Sequence, residues 1–202
     1  MLSRRRMVRH YVDEPIPVNV LERILGSVRR APSAGFSQGQ RLVVVTDSER
    51  RRAIAELLGD AERTAEGFEP WLASAPVHVV VCTREDDYHE RYRKPDKLAD
   101  GEEIDWPVPY WFVDAGAAMM ALLMAAIDEG LASGFLGVPV EREAELRAML
   151  GIPGDVAIVG IATIGRAAPD PQWSASTSRV TQPRRRTTEV FHWERWQGRR
   201  AG

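Results

Sequence analysis

Asp114-Ala115-Gly116-Ala117-Ala118-Met119-Met120-Ala121-Leu122-Leu123-Met124-Ala125-Ala126-Ile127, with Asp128-Glu129-Gly130-Leu131-Ala132-Ser133-Gly134-Phe135-Leu136-Gly137 after it, is the stretch on which the fold turns. It predicts a helix from about Val113 to Glu129 with Asp114 as its cap. The helix is apolar nearly all round, so it is expected to be buried on every face, in a core or at a subunit interface. Its small residues permit close backbone approach. Gly130 suits the left-handed position just past a helix end. The uncharged run, Ala115 to Ile127, is short of the roughly 20 residues that a bilayer demands.

On the N-terminal side, Val77 to Thr83 reads as a buried strand and Arg41 to Thr46 as another. Between them, Asp47 and Ser48 are plausible caps for a charged helix running to about Glu66. Leu21, Ile24, Leu25 and Val28 follow the i, i+3, i+4, i+7 pattern of an amphipathic helix, which Ala31-Pro32-Ser33 breaks. On the C-terminal side, Glu141 to Leu150 forms a short helix stopped by Gly151 and Pro153, and Val156 to Ile164 forms a third strand. No internal repeat is evident. The mix predicts one α+β domain over residues 1–202, with helices on both faces of a small sheet.

Two segments stand apart. Residues 84–112 are charged and Pro-interrupted but carry Tyr88, Tyr92, Trp106, Tyr110 and Trp111. They read either as a lid or binding loop, or as a surface excursion pinned by aromatic anchors. The tail, 172–202, is Arg-rich yet contains Trp173, Phe191, Trp193 and Trp196. It is expected to pack on something, with a partner subunit a good candidate.

Composition removes several classes of function. Twenty-seven basic against 29 acidic residues give a net charge of −2, so neither nucleic acid nor an anionic membrane is an expected partner. Cys82, the single cysteine, lies in an apolar strand and excludes an internal disulfide. That fits a reducing cytoplasm, and no apolar stretch follows the Arg-rich start as in a secretory leader. His10, His78, His89 and His192 are scattered, with no two at metal-ligand spacing. There is no phosphate-binding glycine loop, no dinucleotide fingerprint and no nucleophile elbow.

What remains is anion binding. Arg4-Arg5-Arg6-Met7-Val8-Arg9-His10-Tyr11 opens the chain and Pro183-Arg184-Arg185-Arg186 comes near its close. Guanidinium forks suit a phosphate, and a helical 5–9 would put Arg5 or Arg6 on one side with Arg9. Lys94 and Lys97 are the only lysines, so arginine is overused here. Arg50-Arg51-Arg52 shows how easily such runs arise, and a solvated basic face remains an alternative.

The order of these pieces resembles the FMN-dependent nitroreductase family. Arg5-Arg6-Met7-Val8-Arg9-His10-Tyr11 is similar to its opening motif, and Ala31-Pro32-Ser33-Ala34-Gly35-Phe36-Ser37-Gln38 with the strand Leu42 to Val45 to its second signature. Asp114 to Phe135 resembles its central helix and the turn after it. Leu150-Gly151-Ile152-Pro153 and Pro183-Arg184-Arg185-Arg186 resemble its closing elements. Met7 replaces the usual Ser, and Phe36 stands where many members have Asn. The Pro32 to Gln38 segment is nearer the flavin-destructase and dehalogenase-like branch.

The resemblance implies a three-layer fold with a small, mostly antiparallel sheet and an intertwined homodimer holding FMN between subunits. It implies ping-pong electron transfer from NAD(P)H to a small acceptor such as a nitroaromatic or quinone, with no protein residue catalytic in its own right. Arg5, Arg6, Met7 and Arg9, with Arg184 and Arg186, would hold the phosphate and ribityl chain. Pro32, Ser33, Ala34, Gly35 and Gln38 would approach the ring from the partner. Leu136 and Gly137 would face the reactive flavin nitrogen, and the small side of Gly134 and Gly137 would let main chain come close. Tyr88, Tyr92, Trp106, Tyr110 and Trp111 would line the acceptor side. A non-catalytic flavin or deazaflavin carrier and a flavin-destructase-like activity are the alternative readings.

Overall fold

Two strands with consecutive valines and a third that is almost wholly apolar make a sheet that can be covered on both sides. A computed structural model of the chain describes residues 2–169 and 184–198. The chain divides into two compact units, Met1–Asp170 and Pro171–Gly202.

In the first unit, β1 (Gln40–Val45), β2 (Val77–Arg84), β4 (Val156–Gly165) and β3 (Ala132–Leu136) lie side by side in that order, every neighbouring pair antiparallel. Successive side chains point to opposite faces, so each strand feeds two cores. Val77, Val79, Val81, Ala162 and Ile164 meet Leu21 and Ile24 of α1 (Val18–Gly26) and Leu122 and Ala126 of α5 (Tyr110–Asp128). Val80, Cys82 and Ile161 meet Ile54 of α2 (Ser48–Leu57) and Leu146 of α6 (Val140–Leu150) on the other face. Helix, sheet and helix thus form three layers, as expected. Each fully buried Leu, Ile or Val contributes about 1.5–3 kcal/mol.

Three expectations are corrected. The charged helix does not run to Glu66: it ends at Leu57, Gly59 takes a left-handed φ of 79°, and α3 (Asp60–Ala65) starts afresh. Asp60 is buried and accepts the backbone N–H groups of Trp71 and Ala73, which turns the chain back toward β2. Asp114 is not a cap, because α5 begins at Tyr110 behind Pro109 and Asp114 lies inside it. Within one protomer, Phe112, Val113 and Met120 of α5 are exposed, which leaves that side of the helix to the subunit contact that the sequence allowed. Its length and composition alone would suit a membrane span, but its other side packs against the sheet. Finally, Ala132–Leu136, read only as a Gly-rich run, is an edge strand, which makes four strands where the sequence reading found three.

Residues 84–112 are not a plain loop either. Asp86–Tyr92 form α4, whose Tyr88 is completely buried. In the middle of β4, Gly160 leaves room for the Phe135 ring and the Leu136 carbonyl, which a Cβ there would meet at 2.4 and 2.5 Å.

The second unit, taken by itself, holds one short helix, α7 (Thr187–Val190). The Glu189 carboxylate accepts the Arg186 backbone N–H at 2.8 Å and closes its start. Val190, Phe191, Trp193 and Trp196 are exposed, and the His192 and Trp196 rings lie 4.2 Å apart. Trp173 and Pro183, part of the expected partner-packing tail and closing motif, lie outside the described residues.

Candidate functional site

The arginine segment at the N-terminus is held against the edge of the sheet. Leu2–Arg4 form a single 3-10 turn and residues 5–10 form no helix, so Arg5, Arg6 and Arg9 are not presented by one. The Val8 N–H donates to the Ser133 carbonyl at 3.0 Å, and Val12 to Arg166 at 3.0 Å. Tyr11 makes the anchor: its buried hydroxyl lies 2.8 Å from both the Val8 carbonyl and the Thr163 hydroxyl. The Trp71 indole N–H donates to the same Thr163 hydroxyl at 3.1 Å. Burial, opposed by those hydrogen bonds, raises the Tyr11 phenol far above its usual range.

Arg9 then lies with its guanidinium 5.0 Å from the Trp71 ring centroid, a cation–π contact. Burial, followed by the like charge of Arg63 on α3, lowers the Arg9 pKa from its ordinary value. Among the described residues neither Arg9 nor Arg63 has a carboxylate partner, and the same holds for Arg5 and Arg6. Two neighbouring guanidinium groups without a counter-charge suit an anion. Arg63 escaped the sequence reading because nothing in its spacing ties it to Arg9. The approach is created by the Asp60 turn and by Arg63's own stacking on Phe68.

Val8 pairs with Ser133, so the arginines and the Leu136-Gly137 backbone share one strand edge. Four residues at about 3.3 Å each separate Ser133 from Gly137 by roughly 13 Å. Gly137 is exposed, and a Cβ built on it would meet nothing within 4 Å. Its backbone is open to a ligand. Gly134 is different: a Cβ there would strike the Val8 carbonyl at 2.4 Å, so its smallness serves the arginine segment and not a ring.

The second candidate region is the turn from Pro32 to Gln38. Gly35, Phe36 and Gln38 all have left-handed φ values, 57°, 61° and 54°. Glycine adopts this freely and the other two do not. The turn is clamped from several sides. The Asp114 carboxylate accepts the Ala34 N–H at 2.8 Å, and Arg91 Nε donates to the Gly35 carbonyl at 2.9 Å. Arg91 is itself fixed by a two-pronged pair with Asp96 at 2.7 and 2.9 Å. The Ser33 hydroxyl accepts the Gln38 N–H, and Arg41 donates to the Gln38 carbonyl.

The five aromatics expected to line an acceptor site come together, in two roles. Tyr88 and Tyr92, one turn apart on α4, press their rings on Gly39 and Gly35, where a Cβ would come within 2.4 and 2.6 Å of them. Tyr88 is completely buried and Trp111 nearly so, so these two support the cluster from inside and do not line an open surface. Burial, with Asp114 adjacent, raises the Tyr88 phenol well above its ordinary pKa. Trp106 is the hub, its ring within 4.5–6.2 Å of Tyr92, Tyr110, Trp111 and Tyr88. Glu103 ties the segment down: it accepts from Trp106 Nε1 at 2.8 Å, Arg93 Nε at 2.9 Å and His89 Nδ1 at 2.5 Å.

Arg184 and Arg186 are exposed residues of the second unit, Arg186 with its side chain 3.7 Å from Glu189. No cluster of His, Cys, Asp or Glu that could hold a metal occurs among the described residues. Burial pushes the Cys82 thiol up to about 11, which leaves it a protonated core side chain.

Comparison with known proteins matches residues 2–166 to the nitroreductase family model. An Archaeoglobus fulgidus protein, provisionally named an NADH dehydrogenase/NAD(P)H nitroreductase, is 29% identical over 198 residues, 97% of each chain. The Bacillus subtilis FMN reductase [NAD(P)H] is 30% identical over 171 residues, 83% of this chain and 64% of its own. Among solved structures, the FMN-dependent nitroreductase of Clostridium difficile R20291 shares the fold with a TM-score of 0.68 at 19% identity, covering 96% of this chain and 98% of its own.

Proposed function

This chain belongs to the nitroreductase family and is an oxidoreductase, and from that premise we propose that it binds FMN as a homodimer and passes electrons from NAD(P)H to a small acceptor, a nitroaromatic or a quinone. The observation that carries the reading is the shared strand edge. Val8 on Ser133 sets the arginines at one end of β3 and the open backbone of Leu136-Gly137 at the other. A phosphate at the Arg9 end with a flat ring at the Gly137 end suits a ribityl-linked flavin.

The residues fit such a group chemically. Among the described residues Arg5, Arg6 and Arg9 are cations without carboxylate partners, and Arg63 adds a fourth. In the proposal Arg184 and Arg186 join them. Met7 offers the sugar no hydroxyl, so the ribityl chain relies on main chain and guanidinium. Pro32 to Gly35 and Gln38 present a rigid edge for the ring of the partner subunit's flavin. Bound FMN would supply a reversible two-electron carrier, which is chemistry no side chain here offers. The protein's part is to fix the carrier, exclude water and keep the acceptor close. In balance, NAD(P)H and one proton reduce a quinone to its hydroquinone and leave NAD(P)+.

Purified protein is expected to be yellow, to release FMN on denaturation, and to lose its visible absorbance with NADH or NADPH and regain it with a quinone. A colourless protein that added FMN does not stabilise would sink the reading. Bleaching without repeated turnover of any acceptor would assign the chain to flavin storage instead.

A further inference from the structure

We propose that Phe36 selects the acceptor, laying its ring against planar aromatic molecules that take up electrons. The proposal rests on the flavin reading above and goes beyond it by naming the side chain that recognises the acceptor.

Three observations meet at this residue. First, its φ of 61° is left-handed, a conformation costly for a bulky aromatic and stable only when the surroundings over-determine it. Second, the surroundings do so. Asp114 holds Ala34 before it, Arg91 holds the Gly35 carbonyl, and the Tyr92 ring closes on Gly35. Ser33 and Arg41 hold Gln38 after it. Third, the ring so presented joins neither core: it is 72% exposed, and no ring of the described residues packs on it. Tyr88 and Trp111, by contrast, are spent inside the cluster. A strained turn that carries a buried ring could be explained by packing. A strained turn that carries a ring away from its own core leaves that ring for an occupant outside the protomer, and the acceptor at the flavin is the one assigned to it.

The chemistry of that ligand follows from the ring. Phe offers a flat π face with no hydrogen-bonding atom. It therefore favours planar rings in offset stacking and is indifferent to small, hydrated or spherical oxidants. An electron-poor planar ring, as in a quinone or nitroarene, is the class that gains from it.

The test uses the FMN-loaded protein and compares menadione with ferricyanide under one NAD(P)H donor. Phe36→Asn removes the ring while keeping a residue that tolerates the left-handed turn. Phe36→Trp restores a larger ring. The ratio of kcat/KM for menadione to that for ferricyanide is expected to fall about tenfold in Phe36→Asn and to recover in Phe36→Trp, the scale of one aromatic stacking contact. An unchanged ratio overturns the proposal. A parallel fall for both acceptors with flavin loss or dissociation into monomers also overturns it, and would assign Phe36 to the cofactor or the subunit contact. Failure of the flavin reading itself shows earlier, as wild-type protein without flavin or turnover.

Discussion

Asp114 and Ala34 are 80 positions apart in the chain, yet the Asp114 carboxylate accepts the Ala34 backbone N–H at 2.8 Å. This one bond ties the start of α5, in the layer it shares with α1, to the turn proposed to meet the flavin ring. Asp114 is buried on α5, between residues that pack on the sheet, so the turn takes its position from the core and not from its own loop. Asp114→Ala leaves the Ala34 N–H without its acceptor. It is expected to destabilise the protein by about 1–3 kcal/mol, the cost of an unpaired amide plus a charge-assisted bond. Asp114→Asn keeps an acceptor oxygen and is expected to lose less. Denaturant midpoints of the two variants check this, and wild-type stability in Asp114→Ala would refute the anchor.

Arg9 and Arg186 carry the phosphate proposal. Charge-assisted bonds to a phosphate contribute about 1.5–3 kcal/mol each, so Arg9→Ala and Arg186→Ala are each expected to weaken FMN binding roughly 10- to 150-fold. Arg9 also stacks on Trp71, so its loss is expected to lower stability, whereas Arg9→Lys keeps charge and loses the fork. Arg50→Ala, on the exposed side of α2, serves as the control with unchanged affinity. Fluorescence titration with FMN reads all four. Unchanged affinity in both Arg9→Ala and Arg186→Ala would dispose of the clamp.

A pH dependence follows from His89. Its ring touches Glu103 at 2.5 Å and Glu85 at 3.3 Å, and the Glu103 hydrogen bond, ahead of opposing desolvation, raises its pKa. Arg93 faces the same Glu103. A raised histidine stabilises fully below its unfolded pKa of about 6.5 and loses that contribution as pH climbs through the folded value. His78 acts in the opposite sense. Burial lowers it to about 4, so its contribution is complete above about 6.5 and falls away toward pH 4. The two partly cancel in the whole protein. The difference in stability between wild type and His89→Gln is therefore the quantity to follow, and it is expected to shrink between pH 6 and pH 9. A pH-independent difference would show that His89 is not held as a cation.

Much of this architecture was written locally, and what was not had non-local causes. β2 and the apolar core of α5 were legible because most residues in them prefer the same environment. β3 was not, because Ala132-Ser133-Gly134 has little strand preference of its own. It becomes a strand by pairing with β4 on one edge and receiving Val8 on the other. Asp114 looked like a cap because capping and long-range anchoring use the same side chain. Pro109 marked the true helix start. The break after Leu57 had its signal in Gly59-Asp60, which the charge pattern of the segment obscured. For the candidate site, the order of motifs pointed to Arg5, Arg6 and Arg9. Arg63, Arg91 and Asp114 were not, since their roles exist only once α3, α4 and α5 are folded against the turns they serve.

The exposed side of α5 carries the dimer proposal. Val113, Ala117, Met120 and Met124 follow one another at spacings of four, three and four, the seam by which a helix meets another helix. Val113 and Met120 are 55% and 41% exposed, whereas Ala118, Leu122 and Ala126 on the opposite side have no exposure at all. Along the seam, Ala117, Ala121 and Ala125 help to line a cleft of about 920 Å³, together with Arg29, Arg30 and Pro32. The proposed flavin contact at Pro32 therefore adjoins the face expected to meet a second copy. A stable dimer buries more than about 1,000 Å² in total, and a charge trapped there without a partner costs several kcal/mol. Met120→Arg, a change on an already exposed position, is expected to leave the fold intact by circular dichroism, shift sedimentation from dimer to monomer, and lose FMN in the same step. Val113→Lys should do the same more weakly, being nearer the helix start. A Met120→Arg protein that remains dimeric with its full flavin content would show that this face of α5 is not where the subunits meet.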